Sequence, residues 1–366
     1  MNLHHVNPQH TSPCFSGSYR PDQVQLLLQQ VHAEHTDVEQ KEHLIQTGQK
    51  HYSDMISIES VPSELHQQIY QHALADGLPR LATEIQALAV ALQQRMMAQP
   101  IVLVSLVRAG LPIGVMLQHA LKDLGCAVQH YGVSIIRDRG LDAVAYAQIR
   151  QQYAYAQLVF VDGWTGKGAI SRELSASVKP DPDFDGVVRL VTLADVSGYA
   201  WLTASAEDWL IPSGILGSTI SGLISRTLFK DQQLHGCMSY THLQPYDQSC
   251  ALIEQVNQQR RLLGPIAAAV WTDQARLQQC QQASQVIAQI AQRFDIQQPN
   301  RIKPSLAEAT RAVLRRVPER ILLRDLNDPQ TELLRHLAAQ QGAPIEQLGD
   351  MIAPYRAITI IQQRGT

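Results

Sequence analysis

No charge of one sign dominates this chain. Its 30 Lys and Arg face 33 Asp and Glu, a formal net charge of −3 over 366 residues, so the molecule as a whole has no field for gripping polyanions. Any nucleic-acid contact must come from a local patch. Aromatic residues are scarce, at 5%, and the 45% hydrophobic content rests on Leu, Ile, Val and Ala, a globular balance that excludes large-scale disorder. Long apolar runs are missing: residues 101–106 and 264–271 fall far short of the ~20 needed to cross a bilayer, which excludes a membrane span. The first thirteen residues are polar and His-rich, with no charged stretch leading into an apolar one, so a cytoplasmic protein is expected. Cysteines are few. Cys14, Cys126, Cys237, Cys250 and Cys280 are odd in number and scattered, with no C-x-x-C spacing, which argues against a disulfide framework or a zinc site.

What is present falls into segments, and the length alone allows two or three domains. A helical pattern runs from Pro21 to about Met97, with a capping-box spelling at Thr36 and Glu39; residues 1–97 read as a helical N-terminal cap. Residues 98–249 change character. The apolar run 101–106 ends in the turn-like Arg108-Ala109-Gly110-Leu111-Pro112 and leads into a helical pattern. The unit then recurs as a run over 158–161, a loop Asp162-Gly163-Trp164-Thr165-Gly166-Lys167-Gly168 and a helix over 169–177, followed by a strand over 187–193 ending at Asp195. Strands alternating with helices predict an α/β fold with a mostly parallel sheet, its ligand crevice beyond the carboxyl ends of the strands. Residues 250–297 read as a Gln-rich helical connector, and residues 298–366 as a small α/β module with a helix over 305–316, a strand over 320–325, a helix over 331–341 and a last strand over 357–361.

The loop 162–168 carries the strongest local signal. A strand-end carboxylate followed by Gly, Thr and a helix suits a phosphate and ribose cradle, with Asp162 placed to support Mg²⁺. Any strand-to-helix turn also favours Asp and Gly, so spacing leaves both readings open. A Walker A loop is excluded, because Val161 and Gly168 occupy the positions where it needs Gly and Ser or Thr. Arg108 beside Gly110 suits an anionic group. Asp195 at the next strand end either contacts a ligand or caps a turn. The Ser- and Gly-rich residues 211–227, with Ser213 and Arg226, either bind phosphate or permit a tight crossing.

These two loops, separated by residues 130–140, resemble the type I phosphoribosyltransferases. The segments 15–21, 134–139, 161–170, 211–214 and 221–227 further resemble the bacterial StiP family, encoded with tellurite-resistance and stress operons. The resemblance covers about residues 14–260. It implies a phosphoribosyltransferase-like sheet and Mg²⁺-dependent displacement of pyrophosphate from phosphoribosyl diphosphate by a nucleobase-like acceptor. Asp162, Lys167 and Arg137 would be catalytic, with Asp162 also the metal ligand. Arg108, Ala109, Gly110, Asp162, Gly163, Thr165, Gly166, Lys167 and Gly168 would hold the donor, and Asp195, Ser213 and Arg226 the acceptor. Gly163 replaces the second acid of the ordinary signature.

The family also carries a cysteine-protease label, which makes a thiol protease the rival reading: Cys14 with His51, His130 or His235. A non-catalytic nucleotide-sensing regulator is a third. Residues 307–318, with 337–345 and 354–357, are similar to the Pelota-type RNA-binding domain of the L7Ae relatives, which implies RNA contact through Arg311, Arg315 and Arg316. A homo-oligomer remains an open partner class.

Overall fold

The structure is a computed structural model that describes residues 15–363. Its elements begin with β1 (Gln25–Leu26), β2 (Gln29–Gln30), α1 (Val38–Gln46), α2 (Glu64–Arg95), β3 (Ile101–Val107) and α3 (Gly110–Asp123). There follow β4 (Val128–Ile136), β5 (Gly140–Leu141), α4 (Ala143–Arg150), β6 (Leu158–Val161), β7 (Trp164–Thr165), α5 (Ala169–Val178), β8 (Leu190–Asp195) and β9 (Leu202–Ser205). Then come α6 (Pro212–Ile215), β10 (Gly236–Cys237), α7 (Ser249–Arg261) and α8 (Asp273–Arg293). The last part holds β11 (Ile302–Pro304), α9 (Leu306–Val313), β12 (Pro318–Leu323), α10 (Glu332–Gln340), β13 (Ile345–Gln347) and β14 (Ala357–Ile361).

The central sheet runs β1-β4-β3-β6-β8-β7, with β5 off β4 and β9 off β8, and every pairing but that of β5 is parallel. An unbroken apolar run is what a parallel strand covered on both faces requires. In β3 the period of two survives inside that run. Leu103 faces the side built by α2, α3 and α7, while Val102, Val104 and Leu106 face Ala145 and Ile149 of α4 and Leu174 and Val178 of α5. In β6, Val159 and Val161 against Leu158 and Phe160 divide in the same way.

The N-terminal segment differs from the helical cap expected of it. Its short stretches join strands far away in sequence: β1 pairs with Tyr131 and Gly132 of β4, and β2 with β10. Among the described residues there, α1 and α2 alone are α-helical, and α1 begins at Val38. The Gln-rich stretch expected to be one connector divides between two cores. α7 packs on α2 and α3, whereas Ala283, Val286 and Ile290 of α8 join Ile302, Leu322 and Ile358 of the second sheet.

That sheet has the order β11-β14-β12-β13. Its other face carries α9 and α10, whose Leu306, Val313, Leu333 and Leu334 are continuous with the core of the first unit. Polar groups fasten the junction. Both carboxylate oxygens of Asp208 accept from the Leu306 amide, at 2.8 and 2.9 Å, and one also accepts from the Arg356 amide at 2.8 Å. Among the described residues, no helix is long and apolar enough to cross a membrane.

Within β4, beside β3, lies a histidine whose environment makes a pH prediction. His130 Nδ1 donates to the Gln23 carbonyl at 2.7 Å, and Nε2 lies 2.8 Å from the Ser105 hydroxyl. Burial holds its pKa down at about 4. The folded protein keeps this ring neutral while the unfolded chain protonates it below the ordinary histidine range, so its contribution is present above that range and is lost on acidification. Stability should drop by about 2 kcal/mol from this group between pH 7 and pH 5. Urea midpoints at the two pH values check it: a His130→Gln variant with the same acid slope as the parent would refute the assignment.

Candidate functional site

The loop after β3 is forced close to β6. A Cβ at Gly110 would lie 2.1 Å from the Val161 carbonyl oxygen, so only glycine lets α3 start there. Ala109 occupies the N-cap of α3 without a side-chain cap. Arg108 turns inward: one guanidinium nitrogen donates to the Ile224 carbonyl at 2.7 Å and another to Glu59 Oε2 at 2.9 Å. The other oxygen of Glu59 accepts from both the amide and the hydroxyl of Ser218. Burial pushes the Glu59 carboxyl up, but the Arg108 and Arg315 charges and the Ser218 amide outweigh it and hold the pKa at about 2. Arg108 thus braces three distant segments.

The loop after β6 is covered by the C-terminal unit. Tyr355 donates its hydroxyl to the Gly166 carbonyl at 2.8 Å, and a Cβ at Gly166 would meet Glu308 at 2.0 Å. Lys167 Nζ donates to the carbonyls of Pro299 and Ile302, at 2.6 and 2.8 Å. Burial lowers its pKa to about 8. Gly168 forms the left-handed start of α5. Asp162 follows β6, and its Oδ1 accepts from the Gly163 amide at 2.8 Å. Burial raises this carboxyl to about 7, against the Gly163 amide and the Arg311 charge.

Thr165 and Asp195 are committed to the fold. The Thr165 hydroxyl donates to Asp195 Oδ1, and the same carboxylate accepts the amides of Tyr199 at 3.0 Å and Ala200 at 2.6 Å. Of the two readings left open for Asp195, the geometry gives the turn cap. Asp162 is a single carboxyl that burial raises to about 7, and no group of three or more His, Cys, Asp or Glu side chains that could hold a metal occurs among the described residues. Asp162 would be one protein ligand to the Mg²⁺ expected there.

The basic stretch expected to meet RNA faces the seam between the two units. The Arg311 guanidinium covers the Trp164 ring at 4.7 Å and lies 3.4 Å from the Ser213 carbonyl. Burial depresses the Arg311 pKa to about 10 and that of Arg315 well below its ordinary value, and in both the charges of neighbouring arginines add to the effect. Across the seam, Arg226 and Arg137 approach the Tyr52 ring at 5.1 and 5.8 Å. The charge of Arg316 reaches both Arg226 and Lys303. Lys303 lies 3.8 Å from Glu308, and burial lowers it to about 7. Ser213 is buried and its hydroxyl has no partner.

The structure therefore gathers Arg108, Arg137, Asp162, Lys167, Arg226, Arg311 and Arg315 at one seam and leaves Thr165 and Asp195 beneath it. Glu59, Tyr52 and Glu308 were missed as site residues. No motif surrounds Glu59, whose arginine partner is 49 positions away in the chain.

The described thiols lie elsewhere. Cys237 is buried in β10 and burial pushes its pKa up to about 12; burial also raises Cys126 and Cys250. Cys250 Sγ donates to the Ser18 carbonyl. Cys280 sits with its backbone against Gly198. Cys14 lies outside the described residues. The ring nitrogens of His130 and His235 are engaged within the fold, the latter through Nδ1 to the Ser134 hydroxyl at 2.7 Å. His51 Nδ1 bonds Ser53, while its buried Nε2 has no hydrogen-bond partner.

Comparison with known proteins bears on these features. A family model described as tellurite-like stress resistance cysteine protease StiP matches residues 17–257, and a PELOTA RNA binding domain model matches residues 281–363. A protein of Acinetobacter baylyi (strain ATCC 33305 / BD413 / ADP1), "Cysteine protease StiP", is 51% identical over 365 residues, covering 96% of this chain and 95% of its own length. These descriptions overturn pentosyl transfer from phosphoribosyl diphosphate as the expected reaction. The catalytic, donor and acceptor roles given to Asp162, Lys167, Arg137 and their neighbours fall with it, because a strand-end loop of this kind serves many chemistries.

Proposed function

The chain belongs to the StiP family, and from that premise we propose that it is a thiol-dependent protease whose nucleophile is Cys14. The extended likeness to a relative named as a cysteine protease carries the reading. A thiol becomes a nucleophile when a neighbouring base or positive charge favours the thiolate. Burial works against that at Cys126, Cys237 and Cys250. The chain just after Cys14 is well anchored: the Phe15 carbonyl accepts from the Leu26 amide at 2.7 Å, and the Ser18 amide donates to Gly222 at 3.0 Å. Of the three histidines weighed as the base, His51 keeps a ring nitrogen without a hydrogen bond, Nε2, which lies 3.9 Å from Asp138 Oδ2.

In this reading the Cys14 sulfur attacks the peptide carbonyl carbon while the imidazole takes the thiol proton. The imidazole returns that proton to the leaving amine as the C–N bond breaks, and water then cleaves the thioester. The central unit is a type I phosphoribosyltransferase-like scaffold, a reading supported by its parallel order β1-β4-β3-β6-β8. RNA contact by the C-terminal unit rests on the PELOTA match.

The test is cleavage of an unfolded protein substrate, followed by electrophoresis, together with mass mapping of iodoacetamide adducts. Cys14→Ser should abolish cleavage, at least a hundredfold, and remove the fastest-labelling site, while Cys280→Ser leaves both unchanged. Cleavage that survives in Cys14→Ser would exclude this nucleophile.

A further inference from the structure

We propose that Lys303 is a carbonyl-reactive lysine whose Nζ condenses reversibly with a small 2-oxo acid to form an imine, Glu308 moving the protons and Arg137 taking the carboxylate of the acid. This stands apart from the protease reading and needs no cysteine.

Two lysines reach the seam between the units, and they are held differently. Lys167 Nζ donates to the carbonyls of Pro299 and Ile302. Lys303, on β11, has the same head group to satisfy, yet among the described residues its Nζ makes no hydrogen bond, and its ion-pair partner Glu308 lies 3.8 Å away. The Lys303 side chain is 8% exposed, too little to hydrate a charged head and enough for a small molecule to reach it. An ammonium there lacks acceptors for three N–H donors, whereas a neutral amine asks for fewer and carries a free electron pair. The surroundings act in the same sense. Burial disfavours the cation most, the charges of Lys167, Arg137 and Arg316 add to that, and Glu308 opposes it; the balance holds the amine at about 7. A desolvated lysine beside other cations is the form of this side chain that attacks carbonyl carbon.

The step balances without another reactant. The Nζ electron pair adds to the carbonyl carbon as the C–O π bond opens, and a proton moves from nitrogen to oxygen to give a carbinolamine. The hydroxyl then leaves as water while the C=N bond forms, so both hydrogens of the amine depart with the carbonyl oxygen. Glu308, in the first turn of α9, is the carboxylate placed to carry them. Hydrolysis runs the same steps backwards. The neighbours narrow the carbonyl compound. The Arg137 guanidinium, whose charge reaches Lys303, lies 5.8 Å from the centre of the Tyr52 ring and offers a planar fork for a carboxylate. A 2-oxo acid carries that carboxylate on the carbon next to the carbonyl, in the few atoms that so enclosed an amine admits.

The full chain is incubated with pyruvate or with its uncharged counterpart hydroxyacetone, reduced with cyanoborohydride and mapped by mass spectrometry. At pH 7 pyruvate should modify Lys303 at least tenfold faster than the exposed Lys179, and hydroxyacetone should modify Lys303 at least tenfold more slowly than pyruvate does. The rate at Lys303 should be half its maximum near pH 7, against about pH 10 for an ordinary lysine.

Two variants that keep the amine separate its neighbours. Glu308→Gln should lower the maximal rate about tenfold, the contribution of a positioned proton carrier at its lower end, and move the midpoint to lower pH, because the carboxylate favours the ammonium. Arg137→Gln should move the midpoint to higher pH and remove the preference for pyruvate over hydroxyacetone. A merely structural role for these side chains would not shift the midpoint in opposite directions. Four results in folded wild-type protein would each overturn the proposal: no adduct at Lys303 with either compound, modification of Lys303 no faster than that of Lys179, a midpoint as high as that of an ordinary lysine, or equal rates with pyruvate and hydroxyacetone.

Discussion

Arg108→Ala is expected to cost about 3–5 kcal/mol of folding stability, the penalty for leaving the partner of a buried ion pair uncompensated. The Arg108 side chain is only 3% exposed and links the end of β3 to Glu59 and to the Ile224 carbonyl. Its loss strands a carboxylate that now accepts two donors from Ser218. The effect has a pH signature. The folded Glu59 pKa of about 2 lies below the ordinary glutamate range, so its stabilisation is complete above that range and is lost as pH falls through about 2. The deficit of Arg108→Ala should therefore be greatest near neutrality and smaller at pH 3. Urea midpoints at pH 7 and pH 3 measure both. A variant as stable as the parent at pH 7 would mean that the brace contributes nothing.

The sequence reads most clearly where a signal is local. The last strand, 357–361, is an apolar run that forms β14 with those bounds, and the loops after β3 and β6 show themselves by Gly next to buried strands. The helices α7 and α8 follow from their periodicity. The two-residue strands β1 and β2 have no such signal. Each is specified by a partner more than a hundred positions away, so residues 21–35 read as part of the helical pattern that starts at Pro21. The site divides in the same manner. Arg311 and Arg315 are visible as a basic stretch, but their direction is set by the docking of α9 onto α6, which no spacing encodes. Glu59 and Tyr52 become part of the seam only through residues distant in the chain. The misread reaction has a comparable cause: the strand-loop-helix pattern specifies a scaffold, and several chemistries share it.

The seam can form only while the two units stay docked, and Asp208 controls that. Asp208→Ala should release the C-terminal unit. The aspartate is buried, and its carboxylate accepts the Leu306 amide at the start of α9 and the Arg356 amide just before β14. The Arg356 guanidinium in turn donates to the Asp208 carbonyl and to Asp328 at 2.6 Å. Alanine leaves two amide donors without an acceptor in a place closed to water, at about 1–3 kcal/mol each. The covering contacts of Tyr355 and Lys167 on the loop after β6 depend on the same docking. The parent should melt in one transition and Asp208→Ala in two, and trypsin should cut the variant after Arg261 at the end of α7. Asp208→Asn preserves shape but turns an amide donor toward one of the two backbone donors, so it should weaken docking to a smaller degree. Retention of one cooperative transition in Asp208→Ala would show that the apolar contacts of α9 and α10 with the first core suffice to hold the units together.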